Sequence, residues 1–347
     1  MGELVPVPVD VRNADRDFWR RYHVIRRMWA KEIRPDDPIM PDRLVEARMK
    51  KENPYEFEHP YEISRDGVTL GWFCGQALTP ASPEYATNKH FLWAWAYVRQ
   101  DHRREGIATL FLPVVADLMD GHGCTVVEFH TEGDFAHGFL EWLGAHAKMT
   151  EIESRLELSK VDWAMVERWV TEGQARSPQT RLEIYDGPIP EPMWAEFTPQ
   201  LSAMLNTIPF EDLDHGEIVV TPETMREWYE RNALSQETQH TVLTREPDGV
   251  ISGITDVTWA PYRRPLIYQR FTGVRPDSRG RGLGKWLKAA MLLHLRELYP
   301  DARWIATGNA RSNAPMLKIN RTLGFDAYKT GVEYQLSRGE LESRIRS

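Results

Sequence analysis

The chain has 347 residues, enough for two domains of ordinary size, and its charged (27%) and apolar (41%) fractions are those of a globular protein. It has 43 Lys and Arg against 51 Asp and Glu; the net charge of −8 argues against a nucleic-acid partner and mildly favours a cationic or neutral substrate. Because it has neither an apolar run of membrane-spanning length nor a basic–apolar N-terminal signal, we expect a cytoplasmic protein without a membrane partner.

Strands and helices are predicted in a similar order in both halves of the chain. In the first half, apolar periodicity and turn signals predict strands at 4–9, 61–65, 68–77, 90–98 and 125–130, helices at 15–30, 42–50, 108–120 and 135–143, and two closing strands within 147–158. After a connecting helix at 161–172, they predict strands at 182–185, 238–244, 251–259, 266–274 and 304–307, helices at 192–205, 222–234, 285–298 and 313–323, and closing strands within 325–336.

Cysteine and histidine give no signal of a disulfide framework or a metal site. Cys74 and Cys124 are far apart in the sequence, and we interpret each as a buried apolar residue. The 11 histidines show no HExxH or similar spacing, so the sequence predicts no metal site.

The loop that follows the strand at 266–274 is rich in glycine and arginine. Its sequence, Arg279-Gly280-Arg281-Gly282-Leu283-Gly284, leads directly into a helix. Backbone N–H groups at a helix N-terminus favour an anion, glycine lets the backbone approach a ligand closely, and the arginines add mobile positive charge. The segment therefore predicts a site for a phosphate or pyrophosphate.

The same strand–loop–helix pattern occurs in the first half of the chain. Three pairs of residues are each 176 positions apart: Val98 and Val274, Arg103 and Arg279, Gly106 and Gly282. Further on, Leu143-Gly144 and Leu323-Gly324 are 180 positions apart, so the second copy is about four residues longer in between. Two copies in one element order indicate an internal repeat.

The pattern Val-x4-Arg-x2-Gly-x-Gly/Ala between a strand and a helix resembles the acyl-CoA-binding motif of the GNAT N-acetyltransferase superfamily. The later segment with Asn309, Asn313-Ala314-Pro315-Met316, Asn320 and Leu323-Gly324-Phe325 resembles a second segment of that superfamily. The resemblance implies an α+β fold of two tandem GNAT domains, each a mostly antiparallel twisted sheet flanked by helices. We expect an N-terminal domain at 1–160, a connecting helix and linker at 161–180, and a C-terminal domain at 181–347.

The resemblance also implies acetyl-CoA as the cofactor. Its pyrophosphate would lie on the loop formed by Arg279, Gly280, Arg281, Gly282, Leu283 and Gly284. Thr272 would give its backbone N–H to the acetyl carbonyl, and Val274 would face the pantetheine. Three asparagines would lie along the cofactor arm and near its sulfur: Asn309, Asn313 and Asn320.

Asn320 is the first of two candidate catalytic residues that the resemblance implies. Many relatives have a tyrosine there that protonates the leaving thiolate, whereas an amide can bond to the sulfur but cannot supply a proton. Either Asn320 orients the thioester and water protonates the thiolate, or another residue such as Tyr328 or Tyr334 does so.

Tyr268, the second candidate, stands where some relatives place a glutamate that acts as the general base. Either its hydroxyl relays a proton through water, or it is a packed strand residue. Asp256 and His240 are the alternative bases, and a water chain is sufficient for an amine that deprotonates readily.

An acidic segment lies between the first two helices of the second half, a region that often lines the acceptor site in this superfamily. Glu211, Asp212 and Asp214 therefore either hold a cationic amine or form a solvated acidic loop.

The first half departs from the pattern after its loop. Leu140 stands where Asn320 stands in the second half, and Trp95 and Tyr97 stand where the second half has Phe271 and Gly273. Large rings at those positions would fill the place of the pantetheine. We therefore expect a degenerate first domain, an active second domain and at most one cofactor site per chain.

Together these features predict an acetyl-CoA-dependent N-acetyltransferase that moves an acetyl group to the amine of a small molecule by direct attack. The alternatives are a non-catalytic module that senses acyl-CoA, and an enzyme that acetylates a protein amine.

Overall fold

The structure, a computed structural model, describes residues 4–346. Its strands are β1 (Val7–Pro8), β2 (Glu56–Arg65), β3 (Val68–Leu78), β4 (Phe91–Val98), β5 (Val126–Thr131), β6 (His146–Glu157), β7 (Arg181–Asp186), β8 (Thr238–Arg245), β9 (Ile251–Trp259), β10 (Leu266–Val274), β11 (Trp304–Ala310) and β12 (Phe325–Ser337). Its helices are α1 (Arg16–Ile33), α2 (Asp42–Lys50), α3 (Tyr85–Asn88), α4 (Leu112–His122), α5 (Asp134–Leu143), α6 (Trp163–Arg176), α7 (Trp194–Leu205), α8 (Pro222–Leu234), α9 (Leu283–Leu298), α10 (Ala314–Leu323) and α11 (Arg338–Ile345).

Local sequence signals determine several of the helix ends. The carboxylate of Asp15 caps α1 by accepting a hydrogen bond from a backbone N–H of the first turn. Thr221 forms a capping box at the start of α8, where Pro222 occupies the first helical position, at which no N–H is needed. Gly324 ends α10 in the left-handed conformation. The observed bounds of α2, α8 and β10 coincide with the predicted ones.

The described residues form two compact units. Unit 1 comprises residues 4–150, 211–217 and 331–346, and unit 2 comprises residues 151–210 and 218–330. Each unit contains a mixed sheet, mostly antiparallel and flanked by helices, as the sequence predicted.

In unit 1 the strand order is β1-β2-β3-β4-β5-β12, with residues 332–337 of β12 at the end of the order. Neighbouring strands are antiparallel except β4 and β5, whose parallel ladder ends at Ala94 opposite Phe129. Helix α4 packs against β3 through Phe73 and its neighbours, and α1 packs around Trp72. Because side chains alternate along a strand, these two residues cover opposite faces of the sheet.

In unit 2 the strand order is β6-β11-β10-β9-β8-β7, with residues 151–157 of β6 at the start of the order. The pair β10–β11 is parallel and the other neighbours are antiparallel. Helices α6 and α9 pack on the face that includes Val257, and α7 and α8 pack on the face that includes Ile254. The loop between β10 and α9 therefore joins a central strand to a helix that the core holds in place.

These units do not follow the linear division at 160 and 180 that the sequence suggested. Residues 151–157 of β6 pair with β11 in unit 2, and residues 332–337 of β12 pair with β5 in unit 1. Helix α6, expected as a connector, packs in unit 2, where Gly173 allows close approach of Trp286 from α9. The boundaries differ because they depend on which strand the closing strands pair with, and apolar periodicity carries no information about that pairing.

Several other expectations about local structure are wrong. Each half closes with a single strand, β6 or β12, instead of several, and the helix expected at 192–205 begins with a 3-10 segment, Glu191–Met193. The helix expected at 108–120 begins with a 3-10 segment, Ile107–Phe111, and becomes α-helical only at Leu112.

Candidate active site

Strands β10 and β11 separate partway along their length. Their parallel ladder ends at Gln269 and Thr307, although β10 continues to Val274 and β11 to Ala310. A register shift between Gln269 and Phe271 marks a β-bulge, which bends β10 at this point. Beyond it, no further ladder pairs join the described residues of the two strands, and an extended ligand can bind to such strand edges through its backbone groups.

The loop after β10 turns into α9 through two glycines in the left-handed region. The φ angles are +82° at Gly280 and +85° at Gly282, values that L side chains rarely adopt. Gly282 is the N-cap of α9. Since the first N–H groups of a helix have no intrahelical acceptor, those of Gly282, Leu283 and Gly284 form a positive end suited to an anion.

The two arginines of this loop are held differently. Arg281 donates to Glu246 Oε1 at 2.9 Å, Ser177 Oγ at 3.2 Å and Thr180 Oγ1 at 2.6 Å. Its charge is therefore compensated inside unit 2, and the expectation that both arginines add mobile charge is wrong for Arg281. Arg279 is exposed, and only its Nε has a protein acceptor among the hydrogen bonds found, the carbonyl of Val274 at 3.2 Å.

Thr272 lies just after the bulge, and its side chain points into the packing beneath the sheet. Its Oγ1 bonds to Thr255 Oγ1 at 2.7 Å and accepts from Gln269 Nε2 at 2.8 Å. Val274 packs against the apolar cluster of α9, and a Cβ added to Gly284 would lie 3.8 Å from it. The side chain of Thr272 is thus used within unit 2, and the contact of its backbone N–H with an acyl oxygen stays a prediction.

The three asparagines are used in two ways. Asn320, 1% exposed, donates from Nδ2 to Asn309 Oδ1 at 2.7 Å, and its own Oδ1 has no partner within residues 4–346. An unpaired buried carbonyl is costly, so this atom is poised to accept a hydrogen bond from a ligand. Asn313 instead caps α10 by accepting from Met316 N at 3.4 Å. The resemblance implied that the Asn320 amide bonds to the cofactor sulfur, which requires its N–H as donor. In the structure Nδ2 is already bonded to Asn309, and the atom left unpaired is the acceptor Oδ1.

Tyr268 packs beneath a buried guanidinium. The Arg263 guanidinium lies 4.7 Å from the ring centroid of Tyr268, and Arg263 is 2% exposed. Arg263 Nη1 donates to the carbonyls of Thr258 and Leu266 at 2.9 and 3.0 Å. These contacts favour the packed-residue alternative for Tyr268, and its catalytic role stays a prediction.

Asp256 is the base candidate that lies beside the bulge. It is the register partner of Phe271, and one of its carboxylate oxygens accepts from Gln239 Nε2 at 3.2 Å. Burial raises the pKa of Asp256 to about 6, although Arg270 opposes the shift. A carboxyl group with this pKa can take up a proton near neutral pH. By contrast, both ring nitrogens of His240 have hydrogen-bond partners.

A buried lysine, which the sequence-based predictions do not include, lies beneath β10. Lys288 of α9 is 2% exposed, and its Nζ donates to Gln269 Oε1 at 2.6 Å. Gln269 Nε2 in turn donates to Thr255 and Thr272, so the lysine supports the strand at the bulge. Burial lowers the pKa of Lys288 to about 7. A lysine on the apolar face between Leu287 and Met291 was the available signal.

The acidic segment between α7 and α8 belongs to unit 1. Glu211 accepts from the backbone N–H of Thr150 at 3.1 Å, and the N–H of Asp212 donates to the Lys148 carbonyl at 3.2 Å. Both are exposed, as is Asp214. The solvated-loop alternative accounts for these contacts, and a role in binding the acceptor stays a prediction.

The matching loop in unit 1 has its arginine neutralised. Arg103 makes two bonds to the Glu32 carboxylate, at 2.7 and 2.6 Å, and its guanidinium lies 3.7 Å from the ring centroid of Phe135. Tyr97 donates to the same carboxylate at 2.9 Å. Leu140 is buried in the apolar core of the unit. Arg103, Tyr97 and Glu32 thus pair with one another within unit 1.

Known proteins resemble this chain mainly in structure. No protein family model matches the chain. Over 78 residues it is 37% identical to mycothiol acetyltransferase of Saccharomonospora viridis, a match that spans 20% of this chain and 22% of that protein. Among the described helices, none has the length and apolar character needed to cross a membrane.

The solved structures that match the chain along nearly its whole length include the following two. A tandem GNAT protein from the clavulanic acid biosynthesis pathway has a TM-score of 0.71 and 18% identity, covering 97% of this chain and 99% of that one. A GCN5-related N-acetyltransferase from Sphaerobacter thermophilus has a TM-score of 0.63 and 14% identity, covering 96% of each chain. The chain therefore has the tandem GNAT fold that its two motifs predicted.

Proposed function

We propose that this chain is an acetyl-CoA-dependent N-acetyltransferase, and that unit 2 transfers the acetyl group to the amine of a small molecule. The observation that carries the proposal is the separation of β10 from β11 directly before the glycine turn into α9, within the tandem GNAT fold. A cytoplasmic setting and a small-molecule acceptor, as opposed to a protein amine, are parts of the same proposal.

The residues of unit 2 fit acetyl-CoA at two places. The N–H groups from Gly280 to Gly284 would bind its pyrophosphate, helped by the exposed Arg279. The unpaired Oδ1 of Asn320 would accept a hydrogen bond from an amide of the pantetheine arm. When bound, acetyl-CoA supplies an acetyl group activated as a thioester.

Groups of the chain itself would stabilise the charge on the acyl oxygen and accept the proton of the amine. The backbone N–H of Thr272 would donate to the acyl oxygen, on which negative charge develops. Asp256 would accept the proton that the amine loses as its nitrogen bonds to the acyl carbon. The leaving thiolate would take its proton from water, because the Asn320 amide can donate a hydrogen bond but is too weak an acid to transfer a proton.

The second candidate is a module that binds acyl-CoA without transferring the acyl group. The observation in its favour is the residue at position 320. Asn320 stands where many members of the superfamily have a tyrosine that acts as an acid. This module would keep the cofactor contacts and lack turnover.

Thiol release from acetyl-CoA separates the two candidates. A panel of small amines, cationic and neutral, is incubated with the protein and acetyl-CoA, and the free CoA thiol is measured with a chromogenic disulfide. At least one amine should accelerate release, and the acetylated amine should appear in equal amount by mass spectrometry. Calorimetric binding of acetyl-CoA without release for any amine, including lysine-bearing peptides, would establish the sensor instead.

A further inference from the structure

Unit 2 contains a group of metal-ligating side chains away from the cofactor loop. It comprises Asp186 at the end of β7, His240 in β8 and His294 in α9. Asp186 and His240 are register partners, so the sheet itself holds them side by side. His294 is ten residues beyond Gly284 on the same helix, which is about 15 Å along the axis at 1.5 Å per residue. The group is therefore separate from the proposed cofactor site.

The distances suit one small ion. Asp186 Oδ1 lies 2.6 Å from His240 Nδ1 and 2.7 Å from His294 Nε2, and the ligand atoms all lie within 4.8 Å of one another. A tetrahedral Zn²⁺ with bonds of 2.0–2.1 Å holds its ligand atoms about 3.3 Å apart. Displacements of less than about 1 Å would therefore place these three atoms around an ion.

Groups behind the ligands keep His240 oriented. Its Nε2 lies 2.7 Å from the Tyr299 hydroxyl, and the Tyr299 ring stacks on Trp259 with centroids 4.4 Å apart. His240 is 2% exposed, so its ring is held inside the unit, and it would bind a metal ion as the neutral imidazole. A histidine whose second nitrogen has a fixed partner is the usual arrangement at metal centres.

We propose that Asp186, His240 and His294 bind a divalent transition ion of the zinc class, with water in the remaining coordination position. Two imidazoles and one carboxylate form a ligand set suited to Zn²⁺ and its neighbours. The Asp186 side chain is 52% exposed, which gives the ion and its water access from solvent.

The two histidines can bind an ion without a change in the number of protons that they carry. In the structure described, His240 Nδ1 and His294 Nε2 act as donors to the carboxylate, and His240 Nε2 accepts from Tyr299. On binding, each neutral ring carries its proton on the other nitrogen, and the Tyr299 hydroxyl changes from donor to acceptor. The ion would thereby join β7 and β8 to α9, and this role does not depend on acetyl transfer.

The test is a titration of the untagged full-length protein with Co²⁺ after treatment with a chelator. We expect one Co²⁺ per chain, the visible absorption of tetrahedral Co²⁺, its displacement by Zn²⁺, and a higher melting temperature with Zn²⁺. His294→Ala and Asp186→Asn should weaken binding at least about tenfold, and Tyr299→Phe roughly 10- to 100-fold, as for other outer-shell partners.

The matched control is His122→Ala. It removes the other close imidazole pair, in which His122 Nε2 lies 2.7 Å from His59 Nε2, and it should leave Co²⁺ binding unchanged. The proposal is overturned if the protein takes up no Co²⁺ or Zn²⁺, if His294→Ala binds as the native protein does, or if His122→Ala abolishes binding. Melting curves without metal establish that each variant is folded.

Discussion

The two glycine loops of this chain have the same turn and different surroundings. Gly106 and Gly282 have φ angles of +80° and +85°, and the arginine three residues before each donates from Nε to a strand carbonyl at 3.2 Å. After Gly282, α9 begins at once, whereas a 3-10 segment separates Gly106 from α4. Only the loop of unit 2 therefore ends in the N–H groups of an α-helix.

The surroundings of the two arginines differ as well. In unit 1, Glu32 takes both terminal nitrogens of Arg103, and Phe135 covers its guanidinium. In unit 2, Arg279 is exposed. The parallel ladder stops after four pairs in both units. A β-bulge interrupts the pairing of β10 with β9, whereas β4 pairs with β3 without a shift from Gly71 to Gln76.

The turn can therefore be present without the ligand site. The turn has two left-handed positions: unit 2 has glycine at both, whereas unit 1 has Arg104 at the first, with a φ of +67°, and Gly106 at the second. A site also needs polar groups that the protein itself leaves unpaired, and unit 1 has paired or replaced them. Leu140 fills an apolar core in unit 1, whereas Asn320 keeps an unpaired Oδ1 in unit 2. The following substitutions test this comparison.

The glycine turns can be blocked one at a time with matched substitutions. Gly282→Trp should reduce acetyl-CoA affinity by roughly 100-fold or more, about 2.7 kcal/mol, because the indole occupies the proposed phosphate site. Gly106→Trp introduces the same left-handed strain, about 1–2 kcal/mol, and should leave affinity unchanged. Calorimetry measures binding and melting curves report folding. Equal losses of affinity in the two variants would contradict the assignment of the site to unit 2.

Asp256→Asn should lower the acetylation rate by about 10²- to 10⁴-fold, the usual range for a general base. Because the pKa of Asp256 is raised to about 6, the native kcat should fall as the pH drops through 6, and the variant should lack that limb. Glu128→Gln is the control, since burial also raises the pKa of this carboxyl in unit 1. An unchanged pH profile in Asp256→Asn would remove this residue from the mechanism.

Lys288→Leu gives unit 2 the residue of unit 1, since Leu112 is 176 positions earlier. At pH 7 the variant no longer carries a buried amine whose charged form burial disfavours, and this should raise its stability above that of the native protein, although the loss of the donor to Gln269 Oε1 costs about 1–3 kcal/mol. The folded-state pKa is lowered to about 7 from an ordinary 10.5. Between these values only the unfolded chain binds the proton, so native stability rises with pH there. The difference in free energy of unfolding between the variant and the native protein, measured with urea, should therefore shrink as the pH rises to 10.5. A difference that stays constant with pH would refute this account.

Asn320→Leu likewise copies the unit 1 residue into unit 2. The loss of one hydrogen bond to the cofactor arm should weaken acetyl-CoA binding by about 2- to 13-fold, corresponding to 0.5–1.5 kcal/mol. The reciprocal change, Leu140→Asn, should leave binding intact and cost about 1–3 kcal/mol of stability by burying an unpaired amide. Calorimetry and urea unfolding measure the two effects. Native affinity in Asn320→Leu would place the cofactor arm elsewhere.

How much the sequence could predict depends on whether the cause is local. The glycine turns and the order of strands and helices follow from neighbouring residues, and the resemblance of the two motifs to the GNAT superfamily correctly predicted the tandem fold. The pairing of β12 with β5 joins residues about 200 positions apart, and no local pattern encodes it. Asp186 and His294, 108 positions apart, come together only through the sheet and α9, so a search by motif spacing does not find them.

The properties of single residues in the site were harder still to predict. The raised pKa of Asp256 and the lowered pKa of Lys288 come from burial, which depends on elements far away in the chain. The Glu246 partner of Arg281 likewise required the folded structure. Sequence patterns predicted the loop that we propose binds the cofactor, whereas the electrostatics around it depend on packing.

The central claim is that one of two similar loops binds acetyl-CoA, and the calorimetric stoichiometry of the native chain tests it most directly. The full-length protein is titrated with acetyl-CoA at a concentration well above the dissociation constant, with the active fraction determined independently. We expect one molecule bound per chain, because Arg103 in unit 1 is paired with Glu32 and α4 does not begin at the turn. A stoichiometry of two would show that unit 1 also binds the cofactor and would contradict the account.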